Sequence, residues 1–291
     1  MGRVRQSLSS GRHPLHGHTP TPPTTLHTLE RLRLLTFNIQ VGIAATRLRH
    51  YLTHSWRHLL PHHQSQATLD RIGELIRHFD IVALQEIDSG SFRSQYINQA
   101  EYLASAGRFP YWYSQLNRNL GHLGQHSNAL LCRLLPAEVT DHRLPGFDRG
   151  RGAIEARFGP PGAQLLLLTV HLGLGRRSRL RQMEYLCQLL GNEQHVIVMG
   201  DFNCRSQSRE LAHLLDNTSL CPLPGEVCTF PSWRPKRNID HILVSPTLKI
   251  ERLDVLDETL SDHLPVMVDL LLPDDLRTAW ANAAATPQPS E

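Results

Sequence analysis

Six apolar segments of this chain each carry an acid, an amide or an imidazole at one end. Asn38 lies near the end of LRLLTFNIQ (32–40), Glu86 closes DIVALQE (80–86), and His171 lies next to last in QLLLLTVHL (164–172). Asp201 and Asn203 end VIVMGDFN (196–203). Asp240 opens the apolar part of NIDHILVS (238–245), and Asp262 and His263 stand just before PVMVDLLL (265–272). Side chains two apart on a strand share a face, so Asp201 and Asn203 can converge on one spot at a sheet end. Hard oxygen donors with histidines suit metal-assisted hydrolysis. Mg2+ takes oxygen ligands, uses one or two protein carboxylates and leaves positions for a phosphate; Glu86 fits such a ligand. A neutral histidine takes a proton from water when a carboxylate orients its other nitrogen, and His263 with Asp240 fits that pair. The amides Asn38 and Asn203 bind oxygens without adding negative charge beside an anionic substrate. Zinc fits less well, because no cysteine cluster supplies its usual ligands.

Taken singly, each residue has a plainer reading. An Asp at a strand end is commonly a turn or cap residue, and an ordinary ion pair accounts for Glu86. Asp201 competes with Ser206 and Ser208 to cap the helix that follows. The number and type of these groups, all at strand ends, favour chemistry over the separate readings.

Such groups need strands to carry them and helices to cover the strands. Leu69, Ile72, Ile76 and Phe79 form one stripe of a helix over 68–79, and Leu180, Met183, Cys187 and Leu190 one stripe of a helix over 176–190. A short helix is expected near 208–215, and further strands over 127–133, 152–158 and 248–256. Strands that follow one another without helices, in 127–172 and 239–272, predict antiparallel pairs, so the sheets are mixed and a plain doubly wound fold is excluded. One domain is expected over residues 29–275. Residues 1–28, rich in Pro, His, Thr and Ser, are expected to be a disordered tail, and residues 276–291 a fraying C-terminal tail.

The 291 residues suffice for one large α/β domain. The composition, 40% hydrophobic and 20% charged, is that of an ordinary globular protein. A formal charge of +3 is too small to argue for nucleic acid by itself. The five cysteines have irregular spacing and no CxxC, and read as free thiols of a reducing compartment. No run reaches the ~18 apolar residues of a membrane span. Residues 1–25 lack an apolar stretch, so the cytoplasm is the expected compartment. No obligate protein partner is evident.

In the order TFNIQ, LQEID, TVHL, GDFN, NIDHILVS and SDHLPV, these segments resemble the endonuclease/exonuclease/phosphatase superfamily. Its members include deoxyribonuclease I-like nucleases, abasic-site endonucleases, bacterial sphingomyelinases and inositol-phosphate phosphatases. The resemblance spans residues 32–272 and implies an α/β fold, a four-layer α/β/β/α sandwich with two packed mixed β-sheets. It implies Mg2+-dependent hydrolysis of phosphoesters by direct water attack, with Mn2+ as the alternative ion. By matching motif, Glu86 looks like the principal metal ligand, with Asn38 beside the metal and Asp262 assisting there. Asp201 and Asn203 would orient the attacking water and the phosphate. His263 would be the general base and Asp240 its orienting partner, while His171 would bind the phosphate or protonate the leaving oxygen. GRGAIEA (150–156) resembles a family segment just before a strand, and would bring Arg151 to a phosphate.

The substrate is less legible. LQEID departs from the Gln-Glu-Thr-Lys form common in abasic-site nucleases, which argues against that activity. Residues 46–66 place Leu48, Leu52, Ser55 and Leu59 at helical spacing, with Tyr51, Trp56 and the basic Arg47, Arg49 and Arg57 alongside. That mixture suits nucleic acid, an anionic membrane surface, or a helix packed on its own domain. Residues 175–182 and 232–238 are also basic and flank the same strand ends, which suits a polyanionic substrate. A phosphodiester, with nucleic acid among the candidates, is favoured. The alternatives are a phospholipid phosphodiesterase of the sphingomyelinase kind, a phosphomonoesterase, and a catalytically silent binding module.

Overall fold

Apolar side chains alternate between two faces along most strands, and this alternation builds three separate cores. A computed structural model describes residues 11–12, 16–17, 29–42, 63–94, 96–119, 125–148, 150–222, 224–225 and 227–285. Its first seven strands are β1 (Gly11–Arg12), β2 (His16–Gly17), β3 (Arg31–Asn38), β4 (Ile81–Asp88), β5 (Tyr111–Asn119), β6 (Gln125–Cys132) and β7 (Glu138–Arg143). The others are β8 (Gly152–Phe158), β9 (Leu165–His171), β10 (Val196–Asp201), β11 (Cys221–Pro222), β12 (Asp240–Val244), β13 (Lys249–Val255) and β14 (Val266–Leu271). The α-helices are α1 (His63–Ile76), α2 (Gln99–Ala106), α3 (Arg176–Leu190), α4 (Arg209–Asp216) and α5 (Asp274–Ala285).

One sheet has the order β1-β7-β8-β9-β10-β12-β11 and the other β13-β14-β3-β4-β6-β5-β2. Both are mixed. Only β9/β10 in the first and β3/β4 in the second are parallel, and each of these pairs is joined by a helical crossover, α3 or α1, as parallel strands require. Helices α1 and α2 pack Leu69, Ile72, Ile76, Leu103 and Ala104 against Leu35, Phe37, Val82 and Leu84 of one sheet. Helices α3 and α4 pack Met183, Leu186, Leu211 and Leu214 against Leu166, Leu168, Val170 and Val198 of the other. A third core, with Leu32, Leu34, Leu130, Ile154, Leu167 and Ile197, fills the space between the sheets. The result is the expected four-layer α/β/β/α sandwich.

That inner space changes character along its length. Beyond its apolar part lies a buried polar row of Thr36, Gln85, Gln115, Asn128 and Thr169. Gln115 Nε2 donates across the gap to the carbonyls of Ala153 (3.0 Å) and His142 (3.2 Å), and Asn128 Nδ2 to Gly152 (3.3 Å). Beyond that row come Asn38, Glu86, His171 and Asp201.

Several elements differ from expectation. Strand β5 escapes an apolar pattern because Gln115 is an inward position filled by an amide. Strand β7 is polar and lies near a sheet edge, and α2 spans 8 residues with an Asn98 cap accepting from Ala100 and Glu101 N–H. Residues expected to fray after 275 instead continue α5. Its Leu276 and Trp280, one helical turn apart, are each 1% exposed and close the inter-sheet core at the end away from the polar row. The Trp280 indole N–H donates to the Ala163 carbonyl at 2.7 Å. Within 1–28, Gly11–Arg12 pairs with β7 and His16–Gly17 with β5. Residues 46–62 of the basic aromatic stretch lie outside the described residues. All five cysteines are free, and among the described residues no helix is long and apolar enough to cross a membrane.

Trp280→Ala would open a cavity under both sheets. The expected loss is about 3–5 kcal/mol of stability, to be read from urea unfolding against wild type.

Candidate active site

The polar groups converge because both parallel pairs end at the same side of the sandwich. Asp201 lies opposite His171 in the β9/β10 pair and opposite Asp240 in the β10/β12 pair. Asn38 ends β3, and Gly152, next to Arg151, lies opposite His171. Asp262 and His263 immediately precede β14, whose Val266 lies opposite Thr36 of β3.

Backbone distortions complete the convergence. One extra residue in β4, between Leu84 and Ile87, breaks the register with β6. Such a bulge re-aims a side chain. Leu84 and Ile87 both stay on the helix-covered face, while Glu86, at φ 55°, is turned to the mouth of the inter-sheet gap. Gly200 has φ +147°, and a Cβ there would stand 1.9 Å from the Val170 carbonyl oxygen. Only glycine lets β10 pass β9 so closely just before Asp201. Asn203 has φ 52°; its N–H donates to Asp201 Oδ1 (2.9 Å) and its Nδ2 to the Leu172 carbonyl (3.0 Å). The cap of α4 is Ser208, which leaves Asp201 to the site.

Asp201 is the hub. Asn38 Nδ2 donates to its Oδ2 at 3.1 Å, tying the two sheets together. His171 Nε2 stands 3.6 Å and His263 Nε2 4.0 Å from the same oxygen. His263 Nδ1–H is held by Asp240, 2.8 Å from Oδ2 and 3.0 Å from Oδ1. Asp240 in turn accepts from the hydroxyl of Thr229, which is fully buried. The Phe230 ring meets His263 edge-on at 4.9 Å and carries the Arg237 guanidinium 4.3 Å above its centroid.

The two histidines occupy opposite environments. Burial alone would lower His263, but Asp240, Asp201 and Asp262 outweigh it and push its imidazole up to about 10. Burial, with Arg151, His263 and His126 nearby, holds His171 well below the ordinary histidine range. His171 is therefore neutral, and its approaches to Asp201 and to Glu86 (3.8 Å) are not ion pairs. Arginine can only donate, so the close contact from Arg151 Nη1 makes His171 Nε2 the acceptor and puts its proton on Nδ1.

The site is short of positive charge. Burial, together with Asp240 and Glu86, raises Asp201 to about 7. Burial, together with Glu86 and Asp240, raises Asp262 to about 6. Carboxylates that resist ionisation in a mouth also lined by Glu86 are a donor set that a hard divalent cation would relieve. Asp201, Asp240 and His263 offer ligand atoms within 4.8 Å of one another. There the Nδ1–H of His263 is already spent on Asp240, which leaves only its Nε2 open, and Glu86 stands beside the group at the mouth, 3.8 Å from His171 Nε2. Beside Glu86 and His171, a cavity of about 140 Å³ is also lined by Asn117, His126, Ser127, Gly150 and Arg151.

All nine residues singled out in the sequence lie at this one end. Thr229, His126, Ser127 and Asn117 were not singled out. Thr229 sits in a loop ahead of a basic run. Asn117 lies in β5, which lacks an apolar signature, and His126 and Ser127 open β6 ahead of its apolar run, at the end opposite to the one read for polar tips. Thr229→Val would leave a buried carboxylate short of one donor. It should cost about 1–3 kcal/mol in urea unfolding, and Thr229→Ser, which keeps the hydroxyl, far less.

The model of the Endonuclease/Exonuclease/phosphatase family matches residues 35–263. No curated protein matches by sequence. Among solved structures, the chain is similar to an endonuclease/exonuclease/phosphatase from Beutenbergia cavernae DSM 12333, at 19% identity and a TM-score of 0.66, over 84% of this chain and 72% of that one. It is similar to a mannosyl-6-phosphatase from Bacteroides thetaiotaomicron VPI-5482 (20% identity, TM-score 0.62, 83% of this chain and 100% of that one). It is also similar to the human Nocturnin catalytic domain with bound sulfate (19% identity, TM-score 0.58, 83% and 93%). At these identities the likeness is one of fold. The family match, however, runs from β3 to His263 and takes in every residue of the site, and the chain belongs to the endonuclease/exonuclease/phosphatase family, hydrolases that act on phosphoesters.

Proposed function

We propose that this chain hydrolyses phosphodiesters with the help of Mg2+, or of Mn2+ in its place, and that His263 is the base that activates water. The observation that carries the reading is the chain Thr229–Asp240–His263, which ends with His263 Nε2 4.0 Å from Asp201. A water between these two atoms is in reach of both. Asp240 fixes which nitrogen faces it, as an oriented general base requires. The bound cation, held by Glu86 and Asp262 with Asn38 beside it, would stabilise negative charge that develops on the phosphoryl oxygens.

His263 must be neutral to act. In the cation-free protein its proton is held by Asp240, Asp201 and Asp262. That hold weakens once Asp262 and its neighbours share their charge with a cation, and Asp201, raised toward neutrality, takes part in the exchange. Asn203 and Asp201 orient water and phosphate. For His171, a neutral ring whose Nε2 accepts from Arg151 has no proton there to give to the leaving oxygen, and it holds the Arg151 guanidinium toward the phosphate instead. Arg151 keeps further N–H donors for the same phosphate. The basic turn that opens α3 and the Arg237 loop flank the mouth, which supports an anionic substrate. Nucleic acid and phospholipid head groups are the two diester classes that fit; a phosphomonoester is the further alternative.

His263→Ala should lower turnover of a soluble diester by about 10²–10⁴ while the fold survives by circular dichroism. Full activity in that variant would sink the base assignment. Glu86→Gln should shift the Mg2+ titration of activity to higher concentration.

Stability should follow the raised carboxylates. Asp201 and Asp262 bind protons more tightly folded than unfolded, so the cation-free protein loses stability as pH rises from the ordinary carboxylate range through about 6 and 7. Cation binding needs these groups ionised. The gain in melting temperature on adding Mg2+ should therefore be small at acidic pH and grow through neutrality. A gain that does not change with pH, or is equally large in Asp262→Asn, would remove Asp262 from the cation site.

A further inference from the structure

Single exposed apolar side chains are ordinary on protein surfaces; their placement here is not. Among the described residues the exposed large ones are Phe92, Tyr96, Leu116, Phe147, Leu174 and Leu135. All but Leu135 stand at the end of the sandwich that holds the site. Phe92 and Tyr96 follow β4 and its Glu86. Leu116 precedes Asn117, which lines the cavity, and lies opposite Ser127, which also does. Phe147 lies four residues before Arg151, and Leu174 three after His171. The first three belong to one lip of the mouth and the last two to the other.

These tips are held outward by polar contacts at their bases. The Asp88 carboxylate, fully buried, accepts from Gly90 N–H (2.9 Å), Ser91 N–H (2.7 Å) and the Ser94 hydroxyl (3.0 Å), and so shapes the loop of Phe92 and Tyr96. On the other lip Phe147 N–H donates to Ser178 Oγ (3.1 Å) and Gly175 N–H to Asp148 Oδ2 (3.2 Å). Phe147 and Leu174 remain 70% exposed. Beside them the first turns of α3 present Arg176, Arg177 and Arg181 to solvent, with the Arg181 guanidinium 4.7 Å from the Phe147 ring centroid.

We propose that this end of the molecule docks on an anionic lipid surface. The five apolar side chains would enter the interface, and the arginines of α3 would meet the head groups. The chemistry favours a bilayer over a nucleic acid strand. Leu116 and Leu174 have no ring to stack on a base, and Phe147 has a cation over its ring. Aromatic and aliphatic side chains interleaved with arginine are what an interfacial surface uses. Docking rests on the proposed chemistry only in that the mouth then faces lipid-borne phosphoesters; the binding itself does not require turnover.

The test is sedimentation of the full chain with phosphatidylcholine vesicles, with and without phosphatidylserine. Anisotropy with a single-stranded oligonucleotide and turnover of bis-(p-nitrophenyl) phosphate with Mg2+ run alongside. The wild type should sediment with the anionic vesicles and weakly with the neutral ones. Phe147→Ser and Leu174→Ser should each weaken that binding about tenfold, the scale of burying one such side chain, and leave soluble turnover unchanged. Failure of the wild type to bind anionic vesicles would overturn the proposal. So would variants that bind vesicles as well as wild type, or that lose the oligonucleotide instead. Vesicle binding without diester turnover would keep the docking surface and remove the proposed reaction.

Discussion

Negative charge buried at one end of an otherwise apolar gap is the constraint on which the rest of the structure depends. Asp201, Asp240 and Asp262 are all at most 6% exposed. An isolated buried carboxylate is too costly to persist ionised without partners. The fold meets this in stages. The inter-sheet space passes from aliphatic side chains to amides and hydroxyls, and only then to carboxylates and imidazoles. The cross-sheet bonds of Gln115 and Asn128 serve the middle stage, and the Asn38–Asp201 bond serves the last. What is left unbalanced is a deficit of positive charge at the mouth, which is where an anionic substrate and a cation would meet.

Strained backbone gathers at the same place. Of the non-glycine residues with positive φ among the described residues, Gln40, Val41, Glu86, Tyr96 and Asn203 lie at the site end, and Arg108 alone lies elsewhere. Each such residue costs about 1–3 kcal/mol. The apolar cores on either side of both sheets hold these conformations in place. Glu86 is the clearest instance. Without the bulge its side chain would follow Leu84 onto the helix-covered face, and the mouth would lose its most exposed acid.

The legibility of the chain follows the same division. Helix α3 and strand β8 read at their observed bounds, although the buried face of α3 takes in Ser178 and Gln182 beside Met183, Leu186 and Leu190, and Leu180 and Cys187 of the expected stripe are only half-buried. Eight of the nine site residues were visible as polar ends of apolar strands, and their order carried the family resemblance; Arg151 was visible only through the likeness of residues 150–156 to a family segment. Where burial and polarity mix, the pattern fails. Strand β5 puts Gln115 where a period-two reading wants an aliphatic residue. The bulge at Glu86 slips the period by one, and a slip leaves no composition signal. Helix α5 reads as a fraying tail until Trp280 is seen to plug the inter-sheet core. Thr229 acts through a carboxylate eleven residues away in sequence, a pairing that only the β12 register and the fold bring about.

The two histidines show why position, not residue type, assigns chemistry here. Both are nearly buried and both stand within 4.0 Å of Asp201 Oδ2. One faces Asp240 through its other nitrogen and sits among carboxylates; the other faces a guanidinium. The first is thereby driven to hold a proton and the second to release it. Environments that push paired groups apart separate acid–base work from binding. Asp201 lies between them with its own carboxyl raised toward neutrality. A shift of charge on any one of the three therefore changes the proton affinity of the other two, and a cation or phosphate arriving at the mouth acts on all of them at once.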